Sequence, residues 1–344
     1  MPELPEVETV RSGLDSLITG ATILGVDIRR DSCVRLLPGG AAEFSAEVVG
    51  TRIDAIVRRG KFMWMVLVEP GADHHVAEDA RRADPAISRD DAPGSRDDAP
   101  GLSLSAHLGM SGQFRVHEAV GEAAPDPHPH CRARLTLAHP TRGPLTLDFL
   151  DQRTFGYLHA EPLVPTHDEL PAGQGSDLAW LPQSVAHIGR DVLDPHLAPL
   201  AASRALRKGA RGIKQVLLDQ TVVSGIGNIY ADEALWLARV HPQRPAHAVS
   251  AAQARALLAA TREVMSAALA QGGTSFDALY VNVNGESGYF DRSLEAYGRG
   301  GEPCGRCARP LRRAMIGGRA THWCATCQRR WAPKAGDASS RQYH

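Results

Sequence analysis

Several common sequence features are missing from this 344-residue chain, and each absence excludes a class of protein. No apolar run approaches the ~20 residues that a transmembrane helix needs, and the longest spans only residues 62–68. The first ten residues, MPELPEVETV, carry carboxylates where a secretion signal has cations followed by apolar residues. We therefore expect a cytoplasmic protein that has no membrane partner.

Familiar catalytic motifs are absent as well. The sequence has no nucleotide-binding glycine loop, no GxSxG and no HExxH, so we expect no nucleotide cofactor. Lysine is also scarce, since only Lys61, Lys208, Lys214 and Lys334 occur. Because a lysine ammonium can shift its pKa and transfer a proton whereas a guanidinium cannot, these few lysines are candidate functional groups, Lys61 and Lys214 above the other two.

The overall charge balance conceals two opposite regions. Hydrophobic residues make up 43% and charged residues 22%, which is ordinary for a folded chain of two or three domains with a net charge of −1. Residues 299–334 include nine basic residues and one acidic residue, Glu302. This local excess of positive charge suits binding to a phosphate backbone. Residues 71–103 are acidic and contain SRDDAPG twice in succession, so we predict a disordered insert there.

Hydrophobic periodicity predicts an α+β protein of several domains. Apolar residues at helical spacing indicate a helix from Pro5 to Gly20. Apolar runs broken by turn residues then indicate an antiparallel β-sandwich within 1–160, with strands near 22–28, 52–57, 62–68, 102–108, 134–138 and 145–150. A polar, proline-rich linker is expected at 161–183, and a helical domain at 184–298 with helices over 203–219, 229–237 and 250–270.

The cysteines predict a metal site. Cys304, Cys307, Cys324 and Cys327 form two C-x2-C pairs, the spacing of a zinc finger, which we place at 299–330 ahead of a tail at 331–344. Between the pairs, two short β-type runs flank Gly317 and Gly318, which predicts a hairpin with Arg319 at its tip. A set of four cysteine ligands leaves no open coordination position, so one structural Zn²⁺ is expected and catalysis must lie elsewhere.

Two further local features leave alternatives open. The SGIGN turn at 224–228 precedes a predicted helix and could accept a phosphate, although an ordinary interhelical turn explains it as well. His128, His130 and Cys131 could be read as a metal cluster, but the prolines at 127 and 129 favour a simple entry into a strand.

Nine ordered motifs cover nearly the whole chain except the insert, the linker and the tail: MPELPEVETV, RRGKF, HLGMSG, DQRTFG, LLDQTVVSGIGNIYADEAL, QGGTS, GYF, YGRGGEPC and GGRATHWC. Together they resemble the motifs of the formamidopyrimidine-DNA glycosylase family. The resemblance implies a helix-two-turns-helix domain beside the β-sandwich. It also implies a monomeric repair enzyme of the bacterial cytoplasm or nucleoid that acts on damaged double-stranded DNA. Such an enzyme removes oxidised purines, 8-oxoguanine and formamidopyrimidines, as a glycosylase and then cleaves the strand as an abasic-site lyase.

The resemblance also assigns catalytic residues. If Met1 is removed, Pro2 becomes an N-terminal secondary amine, and an α-amino group has a reference pKa ~2.5 units below that of lysine. By similarity, Pro2 attacks C1′ of the damaged nucleotide and Glu3 serves as general acid. Lys61 then assists β-elimination and Arg319 the subsequent δ-elimination.

By the same resemblance, other residues hold the duplex. Met110, Arg153 and Phe155 would fill the space left by the extruded nucleotide. His128, Lys214 and Asn228 would contact phosphates, and a lesion-capping loop would span 272–288. The sequence departs from the family pattern at Gln152 and Thr154, where a second arginine is common, which puts the opposite-base preference in doubt.

Two alternative functions remain open. The same fold could serve an endonuclease VIII-like enzyme for oxidised pyrimidines, although PELPE and QGGTS favour the purine enzyme. A catalytically inactive zinc-ribbon DNA-binding or scaffold protein is the other alternative, and it becomes the better one if Met1 is retained.

Overall fold

A computed structural model describes residues 2–70, 101–118, 126–273 and 293–332. The chain divides into two compact units. The first comprises Met1–Ile188 and Leu269–Tyr289, and the second comprises Gly189–Ala268 and Phe290–His344. Most of the predicted insert, most of the expected capping loop and nearly all of the tail lie outside the described residues.

The first unit begins with helix α1, Leu4–Ile18. Its apolar residues recur at helical spacing, and Val7, Val10, Leu14 and Ile18 are buried in the main core. A short helix α2, Gly40–Val48, follows, which the sequence analysis did not predict. Two 3₁₀ turns lie in the described part of this unit, Asp31–Val34 and Gln183–Val185.

Nine antiparallel strands form the sheet of the first unit in the order β5-β7-β6-β1-β2-β3-β4-β8-β9. Since β1 and β2 share one residue pair, Thr22 with Arg52, the sheet has two halves. Apolar residues from both halves join one core with α1, which confirms the predicted α+β fold class. The strands are β1 Thr22–Ile28, β2 Arg52–Arg59, β3 Phe62–Val68, β4 Leu102–His107, β5 Gly112–Glu118, β6 Cys131–His139, β7 Gly143–Asp151, β8 Tyr157–Pro165 and β9 Trp180–Pro182.

The outer face of β2 and β3 is covered by the segment expected to be a linker. Residues 161–165 complete β8, 180–182 form β9, and the first unit continues to Ile188. Leu181 and Ile188 pack with Trp64 in a second buried cluster. The segment therefore differs from the expected free linker, because its few apolar residues cover a face of β3 that would otherwise meet water.

The second unit contains four helices among its described residues: α3 Pro199–Leu206, α4 Ile213–Leu217, α5 Asn228–Leu237 and α6 Ala251–Ala270. A 3₁₀ turn, Ala246–Ala248, precedes α6. The single helix expected over 203–219 is divided into α3 and α4, because Gly209 adopts a positive φ of 81° that a helix does not allow. None of the described helices is long and apolar enough to cross a membrane.

The C-terminal hairpin agrees with the sequence prediction. Strand β10, Arg312–Ile316, pairs antiparallel with β11, Arg319–Trp323. Gly317 and Gly318 connect them with φ angles of 57° and 75°, as a two-residue hairpin turn requires. Arg319 is paired with Ile316 at the tip and is exposed to solvent.

Candidate functional site

The first turn of α1 fixes the predicted catalytic end of the chain. Glu3 and Glu6 form a reciprocal capping box, in which the Glu3 backbone N–H donates to Glu6 Oε2 at 2.8 Å. Both side chains are 3% exposed, and Pro2 is buried. Glu3, which follows the expected nucleophile Pro2, is therefore held by both its backbone and its side chain. These contacts fix the position of Pro2 next to it.

A buried ion-pair network lies behind that helix end. Arg58 donates from Nε to Glu8 Oε2 at 2.7 Å, and Arg11 pairs with Glu8 Oε1 at 2.9 Å. Arg58 also donates to the Gly60 carbonyl at 3.1 Å, in the two-residue turn between β2 and β3 that carries Lys61. The network joins α1, the helix that follows Pro2, to the turn that bears Lys61. Sequence reasoning missed Glu8 and Arg58, and only their place inside MPELPEVETV and RRGKF could have indicated them.

Met110, Arg153 and Phe155 lie together in the first unit. Arg153 Nη1 is 3.9 Å from Met110 Sδ, and Met110 and Phe155 are 41% and 55% exposed. Gly109, at a φ of 59°, leaves no room for a Cβ, which would lie 2.8 Å from the Phe155 carbonyl carbon. The turn after β4 thus packs directly on the turn after β7 and presents two exposed apolar side chains side by side.

Asp151 is the buried residue that holds these two turns. Its carboxylate accepts from the Ser111 hydroxyl at 2.5 Å and from the Gly156 backbone N–H at 2.7 Å. The Arg153 N–H donates to both Asp151 Oδ1, at 3.2 Å, and Ser111 Oγ, at 3.0 Å. Sequence reasoning missed this role, although Asp151 opens the DQRTFG motif.

His128 is exposed and lies in the segment that enters β6. Its Nδ1 accepts from the His130 N–H at 3.1 Å, and the His130 carbonyl accepts from the Asp151 N–H at 2.9 Å. His128 is therefore at the same end of the sheet as Met110 and Phe155. The alternative of a metal cluster here gains no support, because in the described part of the chain only the four C-terminal cysteines group as metal ligands.

His107 is a second residue that sequence reasoning missed, although HLGMSG begins with it. Its Nδ1 accepts from the Gly109 N–H at 3.1 Å, and its ring stacks on Tyr157 at 5.1 Å between centroids. Burial lowers the pKa of His107, and the nearby Arg35 acts in the same direction. Through its hydrogen bond to Gly109 and its stacking on Tyr157, His107 supports the turn that carries Met110.

Lys214 is enclosed in the second unit. It is 1% exposed, and its Nζ lies 2.6 Å from Asp232 Oδ1, 2.9 Å from Thr321 Oγ1 and 3.3 Å from the Ala320 carbonyl. This differs from the phosphate contact expected from the sequence, because the ammonium is buried against protein acceptors. Lys214 instead joins α4 to α5 and to the zinc hairpin.

Asn228 is the first residue of α5 and is half-buried. Its Nδ2 donates to the Ala320 carbonyl at 2.9 Å, whereas its buried Oδ1 has no hydrogen-bond partner among the described residues. Lys214 and Asn228 therefore converge on Ala320, next to Arg319. Gln220 orders the preceding turn by accepting from the Gly225 N–H and donating to the Ile226 carbonyl.

The four C-terminal cysteines form the predicted zinc site. Their Sγ atoms all lie within 4.8 Å of one another, and tetrahedral Zn–S bonds of ~2.3 Å require such a spacing. The donor set is purely thiolate, so the site binds one structural zinc ion. The other two cysteines are buried thiols: burial raises the pKa of Cys33 to about 11 and that of Cys131 to about 12.

Helix α5 holds the zinc module in place. Glu233 accepts the backbone N–H groups of residues 295, 296 and 297 at 3.0, 2.8 and 2.7 Å. Asp232 accepts the His322 N–H at 2.8 Å, and Trp236 donates from Nε1 to Cys304 Sγ at 3.4 Å. The ADEALW stretch of α5 therefore holds the module through two buried carboxylates and an indole.

Family models match three consecutive parts of the chain. Residues 1–158 match the formamidopyrimidine-DNA glycosylase N-terminal domain, 188–278 its H2TH domain, and 301–330 a zinc finger found in FPG and IleRS. With the folds and sites described above, these matches define a DNA glycosylase of the zinc-finger class.

Full-length comparisons identify the family. Formamidopyrimidine-DNA glycosylase of Leifsonia xyli is 45% identical over 96% of this chain and 100% of its own length. The MutM (Fpg) protein of Thermus thermophilus matches with a TM-score of 0.69 and 35% identity, covering 95% of this chain and 98% of that one. Lactococcus lactis Fpg in complex with abasic-site DNA matches with a TM-score of 0.68 and 26% identity, covering 95% and 100%. The chain belongs to the formamidopyrimidine-DNA glycosylase family, whose members are bifunctional glycosylases and abasic-site lyases.

Proposed function

We propose that this protein excises oxidised purines, 8-oxoguanine and formamidopyrimidines, from double-stranded DNA and then cleaves the strand at the abasic site. Family membership carries this proposal, because curated relatives named for this activity match along nearly their whole length. The Lactococcus Fpg with an abasic site in its DNA supports the second step. The protein acts as a monomer in the cytoplasm and requires no nucleotide cofactor.

Chemistry begins at Pro2 once Met1 has been removed. The Pro2 nitrogen forms a bond to C1′ as the bond from C1′ to the base breaks, and the departing base takes up the proton that the Pro2 nitrogen releases. Glu3 protonates the sugar ring oxygen as the ring opens, leaving an iminium between Pro2 and C1′. The buried capping box supports this role, because it fixes Glu3 directly beside the attacking nitrogen.

Strand cleavage follows from the iminium. The positive charge makes the proton at C2′ acidic, so its loss expels the 3′ phosphate, and a second elimination expels the 5′ phosphate. Lys61 assists the first elimination and Arg319 the second. The ion pairs from Glu8 to Arg58 and on to the Gly60 carbonyl support Lys61, because they fix its turn relative to α1.

Base extrusion relies on the exposed residues of the first unit. Met110 and Phe155 enter the vacated step of the duplex and Arg153 faces the orphaned base, while His128 contacts a phosphate. In the second unit, Asn228 contacts another phosphate. The exposure of Met110 and Phe155, unusual for such apolar side chains beside a firmly bonded turn, supports this assignment. For Lys214 we propose a supporting role, in which it holds the hairpin that presents Arg319.

Borohydride trapping tests the proposal. The wild-type protein should form a covalent adduct with duplex DNA containing 8-oxoguanine, and Pro2→Gly should form far less of it. Lys61→Ala should still form the adduct and serves as the matched control. An undiminished adduct with Pro2→Gly would place the nucleophile elsewhere, and intact-mass analysis that finds Met1 on active protein would contradict the mechanism.

Substrate preference is tested with a second duplex. Excision of 8-oxoguanine should be faster than excision of thymine glycol, since the PELPE start and the QGGTS motif resemble the purine-specific enzymes. The reverse preference would support the pyrimidine alternative. Absence of both activities from zinc-loaded protein that binds DNA would support the inactive DNA-binding alternative.

A further inference from the structure

We infer that Arg35 is a positioning residue for Phe155, the side chain proposed to enter the duplex. The side chains of Phe155 and Met110 together are called the wedge. The inference rests on the proposed function, since it concerns how the wedge is held during base extrusion. Arg35 follows the 3₁₀ turn Asp31–Val34 and lies 120 residues before Phe155 in the sequence. It belongs to none of the motifs that indicated the family.

The Arg35 guanidinium binds the carbonyl side of the Phe155 turn. Its Nη2 donates to the Phe155 carbonyl at 2.9 Å and its Nη1 to the Gly156 carbonyl at 2.8 Å. Nη1 also donates to the Ser32 carbonyl at 2.8 Å, which fixes the guanidinium to its own turn. A planar guanidinium can contact two adjacent carbonyls in this way, whereas the single ammonium of lysine cannot reproduce the geometry.

Arg35 is also linked, through Tyr157 and His107, to the turn that carries Met110. Its Cζ lies 4.9 Å from the centroid of the Tyr157 ring, in a cation–π contact. The other partner of Tyr157 is His107, whose ring is nearly parallel to it at 5° and accepts the Gly109 N–H. The contacts from Arg35 through Tyr157 to His107 therefore connect the turn that carries Phe155 with the turn that carries Met110.

The turn at Phe155 needs this support because its backbone is strained. Thr154 has a φ of 57°, a left-handed conformation that costs a non-glycine residue free energy. Asp151 holds the N–H groups of the turn, and Arg35 holds its carbonyls from the other side. Phe155, which is itself exposed, is thereby kept in one orientation.

A rigid wedge matters most when a paired base must leave the helix. Extrusion costs a few kcal/mol of stacking and pairing, and the cost is smallest where the base is already missing. Loss of Arg35 should therefore slow excision of a paired 8-oxoguanine more than it slows cleavage of a preformed abasic site. A defect limited to folding would affect both reactions alike.

The experiment compares Arg35→Met and Arg35→Lys with wild type on these two duplexes under single-turnover conditions. Arg30→Met, at an exposed arginine in the same segment, is the matched control. We expect both Arg35 variants to slow 8-oxoguanine excision by about tenfold or more, as expected when charge-assisted hydrogen bonds are lost, and to leave abasic-site cleavage within about twofold. Arg30→Met should match wild type on both.

A double variant links the effect to the wedge. In a Phe155→Ala background, adding Arg35→Met should slow excision no further, because the side chain that Arg35 positions is already gone. Equal losses on both duplexes, unchanged excision, or additive losses in the double variant would each overturn the role of Arg35. If the wild-type protein neither excises 8-oxoguanine nor cleaves abasic sites, the proposed function itself fails.

Discussion

The Ser111 hydroxyl donates to the Asp151 carboxylate at 2.5 Å, and this contact joins the turn after β4 to the turn after β7. The two residues are 40 positions apart in the sequence, and both are buried. Because the same carboxylate also accepts the N–H groups of Arg153 and Gly156, one buried side chain sets the mutual position of Met110 and Phe155. The proposed wedge thus depends on a residue that does not reach the DNA itself.

Replacing Asp151 should therefore weaken both the fold and the proposed activity. Asp151→Ala leaves the Ser111 hydroxyl and the Gly156 N–H without their acceptor, whereas the Arg153 N–H keeps Ser111 Oγ, and each such loss costs ~1–3 kcal/mol. We expect the free energy of unfolding in urea to fall by about 2–4 kcal/mol. Asp27→Ala, which removes an exposed pair with Arg29, should change it by less than ~1 kcal/mol. Equal effects of the two substitutions would show that Asp151 is not the anchor of these turns.

Lys214→Met distinguishes an internal role from a phosphate contact. The substitution leaves Asp232 buried without its ion-pair partner, and breaking a buried pair in this way costs ~3–5 kcal/mol. Lys208→Met, at an exposed position, should leave the free energy of unfolding within ~0.5 kcal/mol of wild type. Two results together would contradict the internal role: Lys214→Met protein that is as stable as wild type, and a DNA affinity that falls less steeply with salt. The difference in salt dependence would be that expected for the loss of about one phosphate contact.

Removing zinc should disable the second unit and spare the first. Cys304 and Cys324 are part of the small core around Trp236, so without the metal this core loses its main cross-link. We expect a chelator to abolish binding to duplex DNA while amide hydrogen exchange in β3 and β6 stays as slow as before. Readdition of zinc should restore binding. Metal-free protein with normal DNA affinity would show that the hairpin folds without the ion.

His107 should titrate below its usual range. Its pKa is lowered mainly by burial, so the unfolded state binds more protons than the folded state at mildly acidic pH. The stability that neutral His107 contributes is therefore complete above ~6.5 and is lost as the pH falls from there through the lowered pKa. NMR titration should report that pKa directly.

The same change should appear in stability measurements. His107→Asn should reduce the loss of unfolding free energy between neutral and mildly acidic pH relative to the wild-type protein. A His107 resonance that titrates at or above 6.5 would contradict the burial that we describe.

The acidic repeat should be dispensable for the chemistry. Strands β3 and β4 are antiparallel neighbours, and Leu67 pairs with Leu102, so the ends that flank residues 71–100 already lie side by side. Replacing 71–100 with a short glycine-serine turn should leave excision within about twofold of wild type, because loop length affects closure entropy only weakly. The replacement must end at residue 100, since Leu102 and Ser103, which the predicted insert included, belong to β4. A large loss of activity would assign the repeat a function.

Much of the fold could be predicted from local patterns. The strands at 22–28 and 62–68 are where apolar spacing placed them, and the hairpin around Gly317 and Gly318 follows from turn chemistry between two cysteine pairs. Strand β8 was missed because a proline-rich, mixed sequence becomes a strand only by pairing with β4. The helix expected over 203–219 was too long because Gly209 tolerates a turn that periodicity alone does not reveal.

The sequence alone determined the family, the four-cysteine zinc site and the residues proposed for chemistry, because spacing and motif order are properties of the chain itself. Only the tertiary structure decided that Lys214 is enclosed by Asp232 and Thr321, that Asp151 holds two turns and that Arg35 binds the Phe155 carbonyl. The physical reason is that the effect of a charge depends on its burial and its partners. Partners tens or hundreds of residues away are brought close only when the core has packed.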